Sequence, residues 1–372
     1  MNFDTITTLS GQELYAKALD FKGIADYDNY YMHLVMAANY DHMDAQKCLE
    51  LDHINSSSSL GKQDYSKTLP FYEATKNYSY SLCLLGYIHS NKKDYVKAKQ
   101  YYEEAISKNN NNMIAMYKLG SLYKNGYGMN INTENKVKGF QLLKAAVDQG
   151  SIIALCSLGH CYHHGYGTNI DYKKAKELYE LAISKYDGFS TAYNNLGVLY
   201  KSGLGVKRDK AKGKELYEKA TSLGSDTAMS NLGHMYEEDK DYTKAIELYE
   251  KSIKENNKNA MIKMAKLYQN GLGVSIDLNK AKDLYEKAIK GYLQNPQVYT
   301  NEIVSTLTQL CQLYQKNNDL KKDVDHVVNY FNEINKIDYI KTIYGFDDFV
   351  MSLLRENIKL KKKNDEIKKL TK

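Results

Sequence analysis

Small and large apolar residues return along this chain at helical spacing. One phrase sets Ala, then Leu four residues on, Gly next, and Tyr three further. It appears as Ala115, Leu119, Gly120, Tyr123, then as Ala154, Leu158, Gly159, Tyr162, and as Ala192, Leu196, Gly197, Tyr200. It continues as Ala228, Leu232, Gly233, Tyr236 and as Ala260, Met264, Ala265, Tyr268, with a weaker early copy at Ser81, Leu85, Gly86, His89. These steps place the side chains on one face of a helix. Glycine inside a helix costs about 1 kcal/mol relative to alanine. Its return in one column therefore predicts a close helix crossing that a larger side chain would hold apart.

A second phrase follows each first. Its small residues are Ala98, Gly139, Ala175, Gly213, Ala245 and Ala281, and four residues later stand Tyr102, Leu143, Tyr179, Tyr217, Tyr249 and Tyr285. A further small residue closes each stripe, at Ala105, Ala146, Ala182, Ala220, Ser252 and Ala288. This is an amphipathic helix, and Asp94, Asp171, Asp209 and Asp241 stand where its N-cap belongs. Four units join the helices by Gly-x-Gly: Gly126–Gly128, Gly165–Gly167, Gly203–Gly205 and Gly271–Gly273. The first Gly suits the left-handed end of a helix, and the second lets the loop turn back. No strand precedes these turns and no Lys-Ser/Thr completes them, so a phosphate loop is not indicated.

The period of about 32 to 39 residues is that of helix-turn-helix repeats, and the chain holds roughly eight such units. Ala-x-x-x-Leu-Gly-x-x-Tyr-x-x-Gly-x-Gly-Val followed by Lys-Ala-x-x-Leu-Tyr-x-x-Ala resembles the Sel-one-like repeat family. Residues 193–220 and 260–288 match most closely. The units at 77–108 and 225–255 have a short linker and are nearer to tetratricopeptide repeats. The resemblance implies an all-α fold, a right-handed α-solenoid superhelix of antiparallel helix pairs used as a scaffold for protein assembly. By analogy with tetratricopeptide geometry, the first helices line the concave wall. The columns three before, one after and four after the glycine then form a partner-binding groove of Tyr117, Lys124, Cys156, His160, His163, Asn194, Val198, Lys201, Ser230, His234, Glu237 and Lys266. Polar, rotatable side chains with an occasional aromatic suit capture of a peptide segment.

The pattern weakens towards both ends. Residues 1–76 read as degenerate N-terminal helical repeats, 77–291 as the repeat array, 292–345 as a degenerate repeat with capping helices, and 346–372 as a basic C-terminal helix. Asp64 to Tyr72 echoes Asp94 to Tyr102, with Pro70 placed to kink the helix, and Asn55 to Gly61 reads as an inserted loop. Tyr31 to Ala38 resembles a still earlier second helix, and Thr306, Leu310, Cys311 and Tyr314 keep the first-helix spacing. In the tail the period changes to a heptad, with Phe346, Leu353, Leu360 and Ile367 at d and Val350, Asn357 and Asn364 at a. Glu356 reaches Lys361 of a parallel partner, but Lys363 and Lys368 repel, so the seam suits a weak homodimer or a more acidic partner helix, the alternative being a single exposed helix.

Composition refines this picture. The 372 residues include 35 Tyr, 8 Phe, 2 Pro and no Trp, and 51 basic residues against 45 acidic give a net charge of +6. Few prolines favour long helices, and the mixed charge argues against a specific nucleic-acid binder. Lys359 to Lys363 with Lys368, Lys369 and Lys372 reads as a solvated helix face. No apolar stretch is long enough to span a membrane. The start, Met1 to Thr5, lacks a secretory signal, and the five cysteines form no disulfide framework, so a cytoplasmic location is expected. His160, Cys161, His163 and His164 form the one dense His/Cys cluster. His160 and His164 at i and i+4 have a chelating spacing, but no further ligands are placed by the sequence, and no metal site is assigned. Some cysteine-rich secreted members of the resembled family are linked to β-lactam hydrolysis. This chain lacks their paired cysteines, and it has no Ser-x-x-Lys set or nucleophile elbow. The expectation is a non-catalytic adaptor without cofactors that binds other proteins; the alternative is an oligomeric spacer assembled through the C-terminal helix.

Overall fold

A computed structural model describes residues 9–54, 68–127, 132–294 and 300–316. The described residues form helices joined by turns, with no strand among them. The chain divides between Leu223 and Gly224 into two compact units.

In the first unit, α1 (Gly11–Gly23) pairs with α2 (Tyr27–Asn39), followed by α3 (Met43–Ile54) and the short α4 (Leu69–Ala74). Four more pairs follow: α5 (Ser79–Asn91) with α6 (Tyr95–Lys108), α7 (Met113–Asn125) with α8 (Thr133–Asp148), α9 (Ile152–His164) with α10 (Tyr172–Lys185), and α11 (Ser190–Ser202) with α12 (Lys210–Ser222). The second unit pairs α13 (Asp226–Glu238) with α14 (Tyr242–Lys254) and α15 (Lys258–Asn270) with α16 (Leu278–Tyr292), and α17 (Thr300–Lys316) packs on α16. Seven pairs are thus described where the repeat pattern predicts roughly eight units. The departure lies at α3 and α4, which do not pair as a unit should: the main neighbours of α3 are α2 and α9, and that of α4 is α5. The inserted loop at 55–61, the helices expected over 320–345 and the heptad seam of 346–372 lie outside the described residues.

The glycine column is a crossing device. A Cβ on Gly159 would lie 2.7 Å from Cε1 of Tyr179, and one on Gly233 would lie 2.8 Å from Cε1 of Tyr249. Tyr102, Tyr179, Tyr217 and Tyr249 therefore lie against the bare backbone of their first helices. In α7 and α8 both partners are small: a Cβ on Gly139 would meet the Gly120 carbonyl at 2.9 Å, and Leu143 fills the remaining gap. Tyr102, Tyr179, Tyr217, Tyr249 and Tyr285 are fully buried, each such side chain stabilising its pair by roughly 1.5–3 kcal/mol. Their flanking Ala and Ser residues are buried with them.

The second helices begin as the sequence predicts. Asp94, Asp171, Asp209 and Asp241 accept from the backbone N–H three residues on, and Asp277 does the same for α16. The backbone N–H of Asp171, Asp209, Asp241 and Asp277 donates in turn to the carbonyl of the column tyrosine, at 2.9 to 3.1 Å. The lysine one turn into the helix lies over that tyrosine ring: Lys174 over Tyr162, Lys244 over Tyr236 and Lys280 over Tyr268, at 5.1 to 5.3 Å. Each exposed contact adds about 0.5–1 kcal/mol. The first glycine of Gly-x-Gly ends its helix in the left-handed region, at φ +70° for Gly165. The second does more than let the loop turn: Gly167 also has positive φ, and a Cβ there would collide with the Lys136 carbonyl of the preceding second helix. Pro70 does not kink a helix. It stands in the first turn of α4, where its missing N–H has no intrahelical partner to lose.

A candidate protein-binding wall

Within the first unit, α5 packs on α7, α7 on α9 and α9 on α11; within the second, α13 packs on α15. Each second helix packs chiefly on its own first helix and, where a further unit follows within its stack, on the next first helix. First helices therefore stack on one another within each unit, and each keeps a half-buried face.

The expected groove residues separate into two groups. Tyr117, Lys124, His160, His163, Val198 and Lys201 in the first unit, and His234, Glu237 and Lys266 in the second, are half-buried. Cys156, Asn194 and Ser230 are not wall residues: they are 4%, 6% and 5% exposed. They share the column three before the glycine, which in these three helices turns into the joint between helices, while Tyr117 in the same column of α7 stays half-buried. At that joint Asn195 Nδ2 donates to Cys156 Sγ at 3.7 Å, tying α11 to α9. The column two before the glycine was missed and belongs to the wall: Lys118, Ser157 and Asn195 in one unit, Asn231 and Lys263 in the other, are all half-buried. Its signal was present as a recurring polar residue inside the apolar phrase.

The chemistry of the wall differs along the chain. Lys118 Nζ sits 4.7 Å from the centroid of the Tyr87 ring on the neighbouring first helix, and burial pushes its ammonium down to about 8. Burial also lowers Lys124. Beside Lys124, the rings of His160 and His164 are 4.3 Å apart, His163 stacks on His164 at 4.3 Å, and Tyr166 stacks on His160 and His164. Burial, with the charges of Lys124, His164 and His163, drives the His160 imidazole down to about 2; burial and His164 drive His163 to about 4. The cluster is an uncharged aromatic stack near neutral pH. Among the described residues no group of three or more His, Cys, Asp or Glu side chains is arranged to hold a metal ion. In the second unit the wall is ionic. His234 lies 3.6 Å from Glu237 and 3.5 Å from Glu238, and Glu237 also accepts from the Tyr249 hydroxyl at 2.6 Å.

Pairs that repeat a crossing, a cap and an aromatic column in register define a helical repeat solenoid of the tetratricopeptide-like class. The Sel1 repeat model matches residues 114–151, 152–187, 190–225 and 258–291, and tetratricopeptide models match 79–112 and 228–261. The chain therefore carries four Sel1 repeats and two tetratricopeptide repeats, and repeats of this kind generally serve as protein-interaction scaffolds. A Sel1 repeat protein from Oxalobacter formigenes is similar at 24% identity over 68% of this chain and 98% of its own, with a TM-score of 0.50. A chain of the APC/C hetero-tetramer Cut9–Hcn1 is similar at 14% identity over 82% of this chain and 58% of its own, with a TM-score of 0.51. Both likenesses concern the fold. A comparison with curated proteins finds no match. No described helix is long and apolar enough to cross a membrane.

Proposed function

We propose that this chain is a non-catalytic adaptor that holds a segment of a partner protein against the inner wall of its first helices. The observation that carries this reading is the column arrangement. Residues one and four after the glycine stay half-buried and chemically varied in every unit, from Lys124 and His160 to Lys201 and Glu237, beside an equally half-buried polar column two before it. A wall of recessed, rotatable polar groups with aromatic neighbours recognises an extended or helical segment. The described cysteines Cys48, Cys83, Cys156 and Cys161 are free thiols, which fits a reducing, cytoplasmic setting.

The test is affinity purification of the tagged full chain from its native cell, read by mass spectrometry beside a Lys124→Glu/Lys201→Glu variant. Partners retained by the parent and lost by the variant support the wall. An identical partner set would refute it, provided both chains give the same circular dichroism.

A further inference from the structure

The column six before the glycine divides the first helices into two kinds. In α5, α7 and α9 it holds Tyr80, Ile114 and Ile153, all buried; in α11, α13 and α15 it holds Thr191, Thr227 and Asn259, all exposed. Tyr80 and Ile114 lie in the same core cluster as residues of α3, and Ile153 meets that helix through its backbone N–H. Ala45 and Leu49 of that helix belong to the same core cluster as Tyr80, Leu84 and Ile114. The next residue, Glu50, is 2% exposed. Its carboxylate accepts from the Ser151 hydroxyl at 2.5 Å and from the Ile153 backbone N–H at 3.1 Å. Ser151 is the N-cap of α9 and accepts from Ala154 N–H, so Glu50 completes that helix end from a residue about a hundred positions away. The opposite face of α3, with Met43, Asp44 and Lys47, is exposed.

A helix in the sequence position of a first helix has therefore left the stack and lies on the wall instead. It meets that wall through one carboxylate aimed at a helix N-terminus, where backbone N–H groups and the helix dipole favour negative charge, and its buried Ala45 and Leu49 lie in one core cluster with Tyr80 and Ile114. Burial raises the Glu50 carboxyl, and the hydrogen bonds from Ser151 and Ile153 pull it back. The chain keeps a buried acid here that an apolar residue would replace at no desolvation cost.

We infer that the wall of α5, α7 and α9 is a seat for a short amphipathic helix, filled in this chain by its own α3. A partner enters by displacing α3 with a helix of the same chemistry, presenting a carboxylate to Ser151 and Ile153 beside a buried Leu. This rests on the adaptor reading and names the partner's chemistry.

The experiment uses the full chain and a fluorescent peptide of residues 41–54 as probe. In a Leu49→Asp/Glu50→Lys chain the seat is vacated, and the peptide binds at least about tenfold tighter than to the parent, whose tethered α3 competes at high effective concentration. A peptide carrying Glu50→Lys loses that binding, and so does the vacated chain with Ile153→Asp added. Hydrogen exchange of the vacated chain shows faster exchange in α3 with unchanged protection in α5, α7 and α9. The inference falls if the vacated chain binds no peptide, if both peptides bind alike, or if α5 to α9 lose protection together with α3, which would make α3 ordinary core. Loss of peptide binding with partner capture retained through Lys124 and Lys201 would sink this inference and leave the adaptor reading standing.

Discussion

Gly197 of α11 lies against the ring of Tyr217 of α12, so closely that a Cβ on the glycine would stand 2.8 Å from Tyr217 Cε1. The same small-on-large contact recurs between Gly86 and Tyr102 and between Gly159 and Tyr179. Gly197→Leu must push the pair apart and should destabilise the chain by about 1–3 kcal/mol, as overpacking does. Thermal unfolding followed by circular dichroism measures this, and an unchanged Tm would show that the column does not set the crossing.

The hydroxyl of Tyr249, the buried tyrosine of α14, donates to Glu237 of α13 at 2.6 Å. Burial raises the Glu237 carboxyl, but hydrogen bonds from His234 and Tyr249 and the charge of Lys263 outweigh it, and the net shift is downward from 4.5. A lowered carboxyl contributes stability above its unfolded pKa and loses it as the pH falls through the folded value. Tyr249→Phe should cost roughly 1.5–3 kcal/mol, the range for a hydrogen bond to a charged group. It should also move the Glu237 titration upward, read from the carboxyl carbon shift in NMR.

The His160, His163 and His164 stack should make the first unit acid-sensitive. His160 and His163 are held far below 6.5 by burial, reinforced by Lys124 and His164 for the first and by His164 for the second. Below pH 6.5 the unfolded chain takes up protons that the folded chain refuses, so stability falls with pH from 6.5 down to about 4. Denaturant midpoints across that range should drop in the parent and drop less in His160→Asn. Parallel curves would remove the stack as the cause.

The heptad seam of 346–372 lies outside the described residues, and its prediction stands on spacing. Sedimentation of the full chain against one ending at Gly345, over micromolar concentrations, should show weak dimerisation in the longer chain alone. Two monomers would exclude self-association through Leu353 and Leu360.

The sequence by itself determined the helix pairs, their caps and the crossing column, because each of these is settled within about forty residues. Gly159 and Tyr179 reveal a contact through helical spacing alone, and Asp171 reveals a helix start through one side-chain oxygen. The array of four Sel1 repeats and its two tetratricopeptide-like members was legible for the same reason. What spacing cannot state is which surface a face will meet. Periodicity places Cys156, Asn194 and Ser230 on one column, but only the packing of first helix on first helix turned that column into a joint rather than a wall. The polar column of Lys118 and Asn195 came to light by the same packing. Spacing alone places Pro70 to kink a helix, but it stands at a helix start because that helix begins at Leu69. The departure of α3 was the least legible of all. Its apolar residues Ala45 and Leu49 suit any helical partner, and they share a cluster with Tyr80 and Ile114 from two other helices. Only the tertiary structure brings those side chains into one cluster and aims Glu50 at Ser151 and the Ile153 backbone.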